Sequence, residues 1–171
     1  MYFNAKQTKW LKCFHLLAVA GWAGGALSLF LLHFLRFRGS VVSEHLHGID
    51  ISAHLIDMGV IVALGAMGCL VTGLLYSLCT PWGFVRHRWI IVKWVITAFC
   101  ILSGLVFLGP WESAMVDISR QSGANPLTDT KYLSSMYLNF WFGLFQFILI
   151  VFAMFISVFK PWKTKQIIKS Q

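Results

Sequence analysis

The apolar run of residues 10–37, WLKCFHLLAVAGWAGGALSLFLLHFLRF, constrains this chain more than any other feature. It is long enough to cross the hydrocarbon core of a bilayer, which takes about 20 apolar residues in a helix. The whole chain is 58% hydrophobic and only 12% charged, whereas a globular domain is about 25% charged. Because backbone polar groups in lipid must be satisfied within the structure, such runs form helices. The predicted fold class is therefore all-α, an integral membrane four-helix bundle in a lipid bilayer.

Apolar runs predict four spans within a single membrane domain of residues 1–171, namely residues 10–35, 51–79, 89–108 and 132–159. Gly109-Pro110-Trp111 is expected to end the third span, and residues 112–131 are expected to form a long loop that can hold a short helix over residues 112–120. In the fourth span Asn139 and Gln146 share one face. Amides in such positions are expected to hydrogen-bond to neighbouring helices.

The basic residues indicate the topology. The net charge is +8, but the basic residues lie at the ends of the apolar runs. They are not gathered into a module that reads nucleic acid, so no nucleic-acid partner is expected. With four spans both termini lie on one side, which holds ten of the 14 Lys and Arg residues, while all six Asp and Glu residues lie on the other. The positive-inside rule then predicts cytoplasmic N- and C-termini and a multi-pass protein of the cell inner (plasma) membrane.

Two histidines mark the ends of the first helix. His15 and His33 are 18 residues apart, which is about five helical turns and about 27 Å of rise, so both point to the same face. Trp22 and several small residues lie between them on that face. A flat cofactor needs a face without bulk, which the small residues supply. Trp22 is the one indole on that face and is a candidate cofactor-binding residue beside the two histidines.

His33 and His54 are expected to be neighbours, because the end of the first helix meets the start of the second in an up-and-down bundle. They are predicted as axial ligands of one haem, or as part of a metal site, since imidazole binds haem iron, copper and zinc. At the other end of the bundle His15 is the candidate ligand. Lys93, one turn inside the third span, is its nearest predicted partner and would hold a haem propionate or an anionic substrate, or would simply extend to the interface.

A pattern of tryptophan, lysine and histidine in the first helix suggests a family. Trp10, Leu11, Lys12 and His15 form WLKxxH, followed by Trp22, Gly24 and Gly25. Together with Thr72-Gly73 in the second span and with Trp89 and Lys93 at the start of the third, this pattern resembles the HemJ-type protoporphyrinogen oxidases and the related CopD-like small membrane proteins. HemJ-type proteins carry a second histidine near the end of the first helix, to which His33 is similar. The resemblance implies a b-type haem and a role late in haem synthesis.

We therefore expect a membrane protein that binds haem b and has a redox or haem-handling role, with haem-dependent oxidoreductase activity as one form of it. The iron ligands would be His15 or the pair of His33 and His54. A second possibility is that both ends of the bundle hold haem and carry electrons across the membrane.

Two other classes remain open. One is a copper handling or transport protein of CopD-like type that uses His45, His47, His54 and methionines. The other is a non-catalytic membrane subunit whose function comes from a partner membrane subunit. The motif of Gly21 and Gly25, a GxxxG, also permits a homo-oligomer.

Overall fold

The computed structural model describes residues 3–37, 43–81, 83–121 and 125–162, and all regular secondary structure in them is helical. Long helices that are apolar enough to cross a membrane are α1 (Ala5–Phe37), α2 (His45–Cys79), α3 (Arg88–Ser119) and α4 (Thr130–Phe159). A short 3-10 helix over Pro126–Thr128 precedes α4. The predicted all-α membrane class with four spans is confirmed, while the side of the membrane that holds the termini stays a prediction.

Two of these helices contain π-helical turns. In α2 the π-helical segment Asp57–Met67 lies between the α-helical segments Ser43–Ile56 and Gly68–Cys79. In α3 the π-helical segment Gly104–Leu108 lies between Arg88–Ser103 and Gly109–Ser119. A π-helical turn changes the direction in which later side chains point, and such turns are frequent at functional sites.

The predicted end of the third span at residue 108 was wrong, because α3 continues to Ser119. Pro110 lies in the first turn of the α-helical segment that follows the π-helical turn. A proline inside a membrane helix is tolerated where a local π-helical turn satisfies the backbone groups that the proline leaves free. As a consequence Glu112, expected in a loop, lies on a helix inside the bundle and is only 1% exposed.

The bundle is apolar on its surface, and its interior holds polar side chains among apolar ones. Large hydrophobic side chains such as Leu17, Leu31 and Phe155 are exposed on its surface. The buried polar side chains include those of His33, Arg36, Asp50, Thr72, Ser103, Glu112, Asn139 and Gln146. This distribution suits a lipid environment, where ionisable and polar groups in spans turn toward the protein interior.

Two buried amides join α4 to α3, as the sequence predicted. Asn139 Nδ2 donates a hydrogen bond to the backbone oxygen of Leu108, at 3.3 Å, in the π-helical turn of α3. Gln146 Nε2 donates to the backbone oxygen of Cys100 at 3.2 Å and to Ser103 Oγ at 2.8 Å. The predicted interhelical role of both amides is confirmed.

Small residues bring α1 and α2 into close contact. A Cβ atom added to Gly65 would lie 2.7 Å from Trp22 Cβ and 2.8 Å from Trp22 Cα. On α1, Gly21 and Gly25 face Leu64 and Ile61 of α2 in the same way. The GxxxG face of α1 is therefore packed against α2 within the chain, and the homo-oligomer stays a prediction.

The four helices alternate in direction, and their packing differs between the two ends of the bundle. We call the end with residues 3–15 the termini end and the opposite end the far end; at the termini end Phe3 N donates to the backbone oxygen of Cys79 at 2.9 Å. α1 packs on α2 and α4, and α3 packs on α4. The contact between α2 and α3 joins Ser43–Ile56 to Gly109–Ser119, at the far end. At the termini end α2 and α3 diverge, which opens a cavity.

The contact of Gly65 with Trp22 makes a test of the packing. We expect Gly65→Ala to destabilise the bundle by about 1–3 kcal/mol, the usual cost of overpacking a core, because the added methyl group meets backbone atoms. Gly59→Ala is the matched control, since Gly59 lies in the same π-helical segment and an added Cβ there meets nothing within 4 Å. Unfolding measured in detergent by helical circular dichroism should separate the two variants. Equal stability of both would contradict the close contact.

Candidate cofactor site and buried ion cluster

A cavity of about 500 Å³ lies at the termini end of the bundle. Its walls come from all four helices and are mainly apolar, with Trp22, Cys69, Trp94 and Ile150 among the lining residues. Sites for small molecules and cofactors in proteins occupy about 300–1,000 Å³ and are lined in this way, with a few polar groups that fix the ligand. The cavity therefore has the size and lining of a cofactor site.

His15 lines this cavity and is held in one orientation by Thr72. The distance from His15 Nδ1 to Thr72 Oγ1 is 2.7 Å. The Thr72 hydroxyl donates its hydrogen to the backbone oxygen of Gly68, so it accepts the one from His15 Nδ1–H. In this tautomer Nε2 carries the lone pair. Nε2 makes no hydrogen bond to the part of the chain that the structure describes, which leaves it available as a ligand atom.

Basic side chains surround the same cavity. Lysines that line it are Lys9, Lys12, Lys93 and Lys160. The Nζ atoms of Lys93 and Lys160 lie 5.9 and 5.8 Å from the centroid of the Trp89 ring, within the range of cation–π attraction. None of the described residues that line the cavity is acidic. The site therefore combines an apolar interior with positive charge, which suits an amphipathic anion.

Trp22 forms a partition between this cavity and a second, much smaller one. The second cavity, of about 40 Å³, lies toward the far end, and Trp22 and Ile150 line both cavities. Around Trp22 a layer of buried small and apolar residues crosses the bundle, comprising Ala18, Ala66, Cys69, Ile96, Cys100 and Ile150. Trp22 thus lies where the sequence expected it, between His15 and His33, and it is 6% exposed.

His33 lies at the far end with both ring nitrogens engaged. Its Nε2 is 3.0 Å from Asn139 Oδ1, and its Nδ1 is 3.2 Å from Arg36 Nη1. Because the arginine can only donate, Nδ1 accepts from Arg36 and Nε2–H donates to Asn139. The imidazole is therefore neutral, and a metal ion would have to displace one of these partners.

Arg36 is the centre of a buried ion cluster at the far end. Its Nε and Nη2 atoms lie 2.9 and 2.7 Å from Asp50 Oδ1, and neither side chain is exposed. The hydroxyl of Tyr132 donates to the same carboxylate at 3.1–3.2 Å. Glu112 Oε1 is farther from Arg36 Nη2, at 3.7 Å, and makes no hydrogen bond to the described residues. Charged groups buried this deeply are stable only when they are paired.

The structure gives His54 and His33 different surroundings. His54 is half-buried, and its Nδ1 is buried without a hydrogen-bond partner in the described part of the chain. The small cavity beside His33 is lined by Asp57 and Glu112 but not by His54. Among the described residues no group of three or more His, Cys, Asp and Glu side chains is arranged to hold a metal ion. The expected pair of axial ligands from His33 and His54 gains no support from this geometry.

The functional residues that the sequence reasoning missed are Thr72 as the partner of His15 and the pair of Arg36 and Glu112. Arg36 had been counted only as a basic residue at a span end, although it lies one helical turn after His33 on the same face. Glu112 follows a Gly-Pro pair, which concealed that the helix carrying it continues α3 into the bundle. Asp50 binds the arginine that contacts His33.

Comparison with protein-family models, curated proteins and solved structures finds no match for this chain. The resemblance to HemJ-type and CopD-like proteins therefore stays a prediction from short motifs. The functional argument depends on the geometry of the site itself.

The contribution of the ion cluster to stability can be tested by replacing Arg36. We expect Arg36→Met to destabilise the bundle by about 3–5 kcal/mol, the range for removing one partner of a buried ion pair, because Asp50 would be left without its cation. Arg36→Lys is the matched variant; it keeps the charge but loses the forked contact, so its loss should be smaller. The measurement is chemical unfolding in detergent. An Arg36→Met variant as stable as the wild type would contradict the role of the pair.

Proposed function

We propose that this chain is a membrane protein that binds one b-type haem in the 500 Å³ cavity, with His15 as an axial ligand, and that it has a redox or haem-handling role. The observation that carries the proposal is the His15 imidazole, which Thr72 holds through Nδ1 while Nε2 is left free. Ligand histidines typically donate their second N–H to a protein acceptor, which fixes the ring and its tautomer.

The lysines around the cavity support a ligand with acidic groups on one edge. Haem is a largely apolar disc that carries two propionates. The apolar walls would surround the disc, and Lys93, together with Lys12 or Lys160, would pair with the propionates. Trp22 would close the cavity on the side toward the far end. When bound, the haem would supply one-electron redox chemistry at its iron.

The geometry favours one haem at the termini end over one at each end. The cavity beside His33 holds only about 40 Å³, far below the usual range of about 300–1,000 Å³ for ligand sites. His33 also uses both nitrogens within the protein. If the termini are cytoplasmic, as the positive-inside rule predicts, the haem cavity lies on the cytoplasmic side of the inner membrane.

The residues at the cavity support a class of reaction, a redox or haem-handling role. The resemblance of Trp10, Lys12, His15, Trp89 and Lys93 to HemJ-type proteins favours a haem-dependent oxidoreductase, and the cavity contains several of these residues. The copper alternative has no cluster of ligand side chains among the described residues to support it. A non-catalytic subunit would differ from a haem protein by its lack of a chromophore.

The first test is the visible spectrum of the purified protein with added haem, oxidised and then reduced. We expect a Soret band and reduced α and β bands in the wild type, and loss of haem uptake in His15→Ala because the axial ligand is gone. His45→Ala is the control, since His45 is exposed at the far end. A wild type that stays colourless, or haem lost from His33→Ala but retained by His15→Ala, would contradict the proposal.

A second test addresses the hydrogen bond that orients His15. We expect Thr72→Val to weaken haem binding by about 10–100-fold, the usual effect of removing a partner of a ligand histidine. Thr97→Val is the matched control, because Thr97 lines the same cavity, whereas the hydrogen bond of His15 Nδ1 is made with Thr72. Haem titration followed at the Soret band measures both. Equal affinity of the two variants would show that Thr72 does not position the ligand.

A further inference from the structure

The ion cluster at the far end contains more carboxyl groups than cations. Arg36 is its permanent cation and lies beside Asp50 and Glu112, and Asp57 lines the small cavity together with Glu112. His54 lies one helical turn before Asp57 on α2 and can neutralise at most one of them. Even with a charged His54, three carboxylates would face two cations, so full ionisation would leave an unpaired negative charge in the bundle.

The other titratable groups of the cluster do not correct this imbalance. His33 is neutral because its Nδ1 accepts a hydrogen bond from Arg36, and a second proton would bring two cations to 3.2 Å. Tyr132 is an uncharged donor to Asp50. His47 lies further out, half-buried, with its Nδ1 3.2 Å from Ser119 Oγ. The smallest free-energy cost is therefore reached when one of the carboxyl groups binds a proton, which removes the excess negative charge.

Among the three carboxyl groups, Glu112 has the fewest contacts that would stabilise a negative charge. Asp50 receives two close contacts from Arg36 and one from Tyr132. Asp57 lies beside His54 and is half-buried. Glu112 is 1% exposed, its Oε1 has no hydrogen bond in the described residues, and its nearest cation is 3.7 Å away. A buried carboxylate with so little compensation is costly, whereas a carboxylic acid is not.

Glu112 also lines the small cavity beside His33, Asp57 and Asn139. Its volume, about 40 Å³, is enough for a water molecule, which needs about 10–15 Å³ measured in this way and two to four polar partners. A group that can exchange a proton needs an acceptor at hydrogen-bond distance, and a water molecule in this cavity would supply one. The unpartnered oxygen thus occurs together with a cavity that several polar side chains line.

We propose that Glu112 is a proton-binding site: its carboxyl group holds an exchangeable proton, which it can release to water in the small cavity and take up again. The balance is simple, since the carboxylic acid gives a carboxylate and the water accepts the proton. The site is independent of haem, because the apolar layer at Trp22 separates it from the larger cavity. It gives the bundle a proton acceptor buried in a span, the position at which ionisable residues in membrane proteins usually serve a function.

Infrared spectroscopy of the purified protein in lipid nanodiscs tests the proposal directly. We expect the wild type at neutral pH to show the C=O stretching band of a protonated carboxyl group, shifted when H₂O is replaced by D₂O. Glu112→Gln should lose this band. Asp117→Asn is the matched control, because Asp117 is an exposed acidic residue on the same helix and its replacement should leave the band unchanged.

The alternatives give distinct results. A wild type without a protonated-carboxyl band would overturn the proposal, and this measurement needs no variant to fold. A band that persists in Glu112→Gln and disappears in Asp57→Asn would also overturn it, since the proton would then lie on Asp57. If Glu112→Gln fails to fold, Glu112→Asp decides the matter: a carboxyl band that moves in frequency identifies residue 112, and an unmoved band excludes it.

Discussion

The contact of Trp22 with Gly65 is the constraint on which the rest of this bundle depends. An α-helix presents a backbone this close to a neighbour only where a side chain is missing, so Gly65 fixes how far α1 slides along α2. With that register set, His15 lies opposite Thr72 toward one end and Arg36 lies opposite Asp50 toward the other. Both regions are therefore positioned by one contact in the middle of the bundle, and Trp22, which makes this contact, also lines the cavity of each region.

The two ends of the bundle use polar residues differently because the helices pack differently there. At the far end α2 and α3 come together, so the carboxyl groups of Asp50 and Glu112 lie close to each other and are compensated by Arg36 of α1. At the termini end the same helices diverge and leave space, and lysines lie around a cavity that has no acidic side chain among its described lining residues. The distance between α2 and α3 thus decides whether polar side chains form ion pairs, as at the far end, or surround a cavity, as at the termini end.

Hydropathy was sufficient to predict the four spans, and helical periodicity was sufficient to place Trp22 between His15 and His33 on the inward face of α1. Lys93 also lies at the cavity, as expected from its place near the start of the third span. Periodicity says nothing about register between helices, so Thr72 could not be assigned to His15. It also cannot reveal a π-helical turn, which depends on tertiary packing and which carries α3 past Gly109-Pro110 to Glu112.

The apolar layer around Trp22 limits the passage of ions and protons between the two regions. Ions and protons cross such a layer only at a cost of several kcal/mol per charge, so the cavity at His15 and the cluster at Arg36 are separate compartments. Trp22 and Ile150 nevertheless line both, and Trp22 has no room to move toward Gly65. A ligand that pressed on the indole could be accommodated only by displacement of α1 itself, and that displacement would disturb His33 and Arg36, which lie on the same helix. Coupling between the two regions would therefore be mechanical, through α1, even though the apolar layer hinders ions from passing between them.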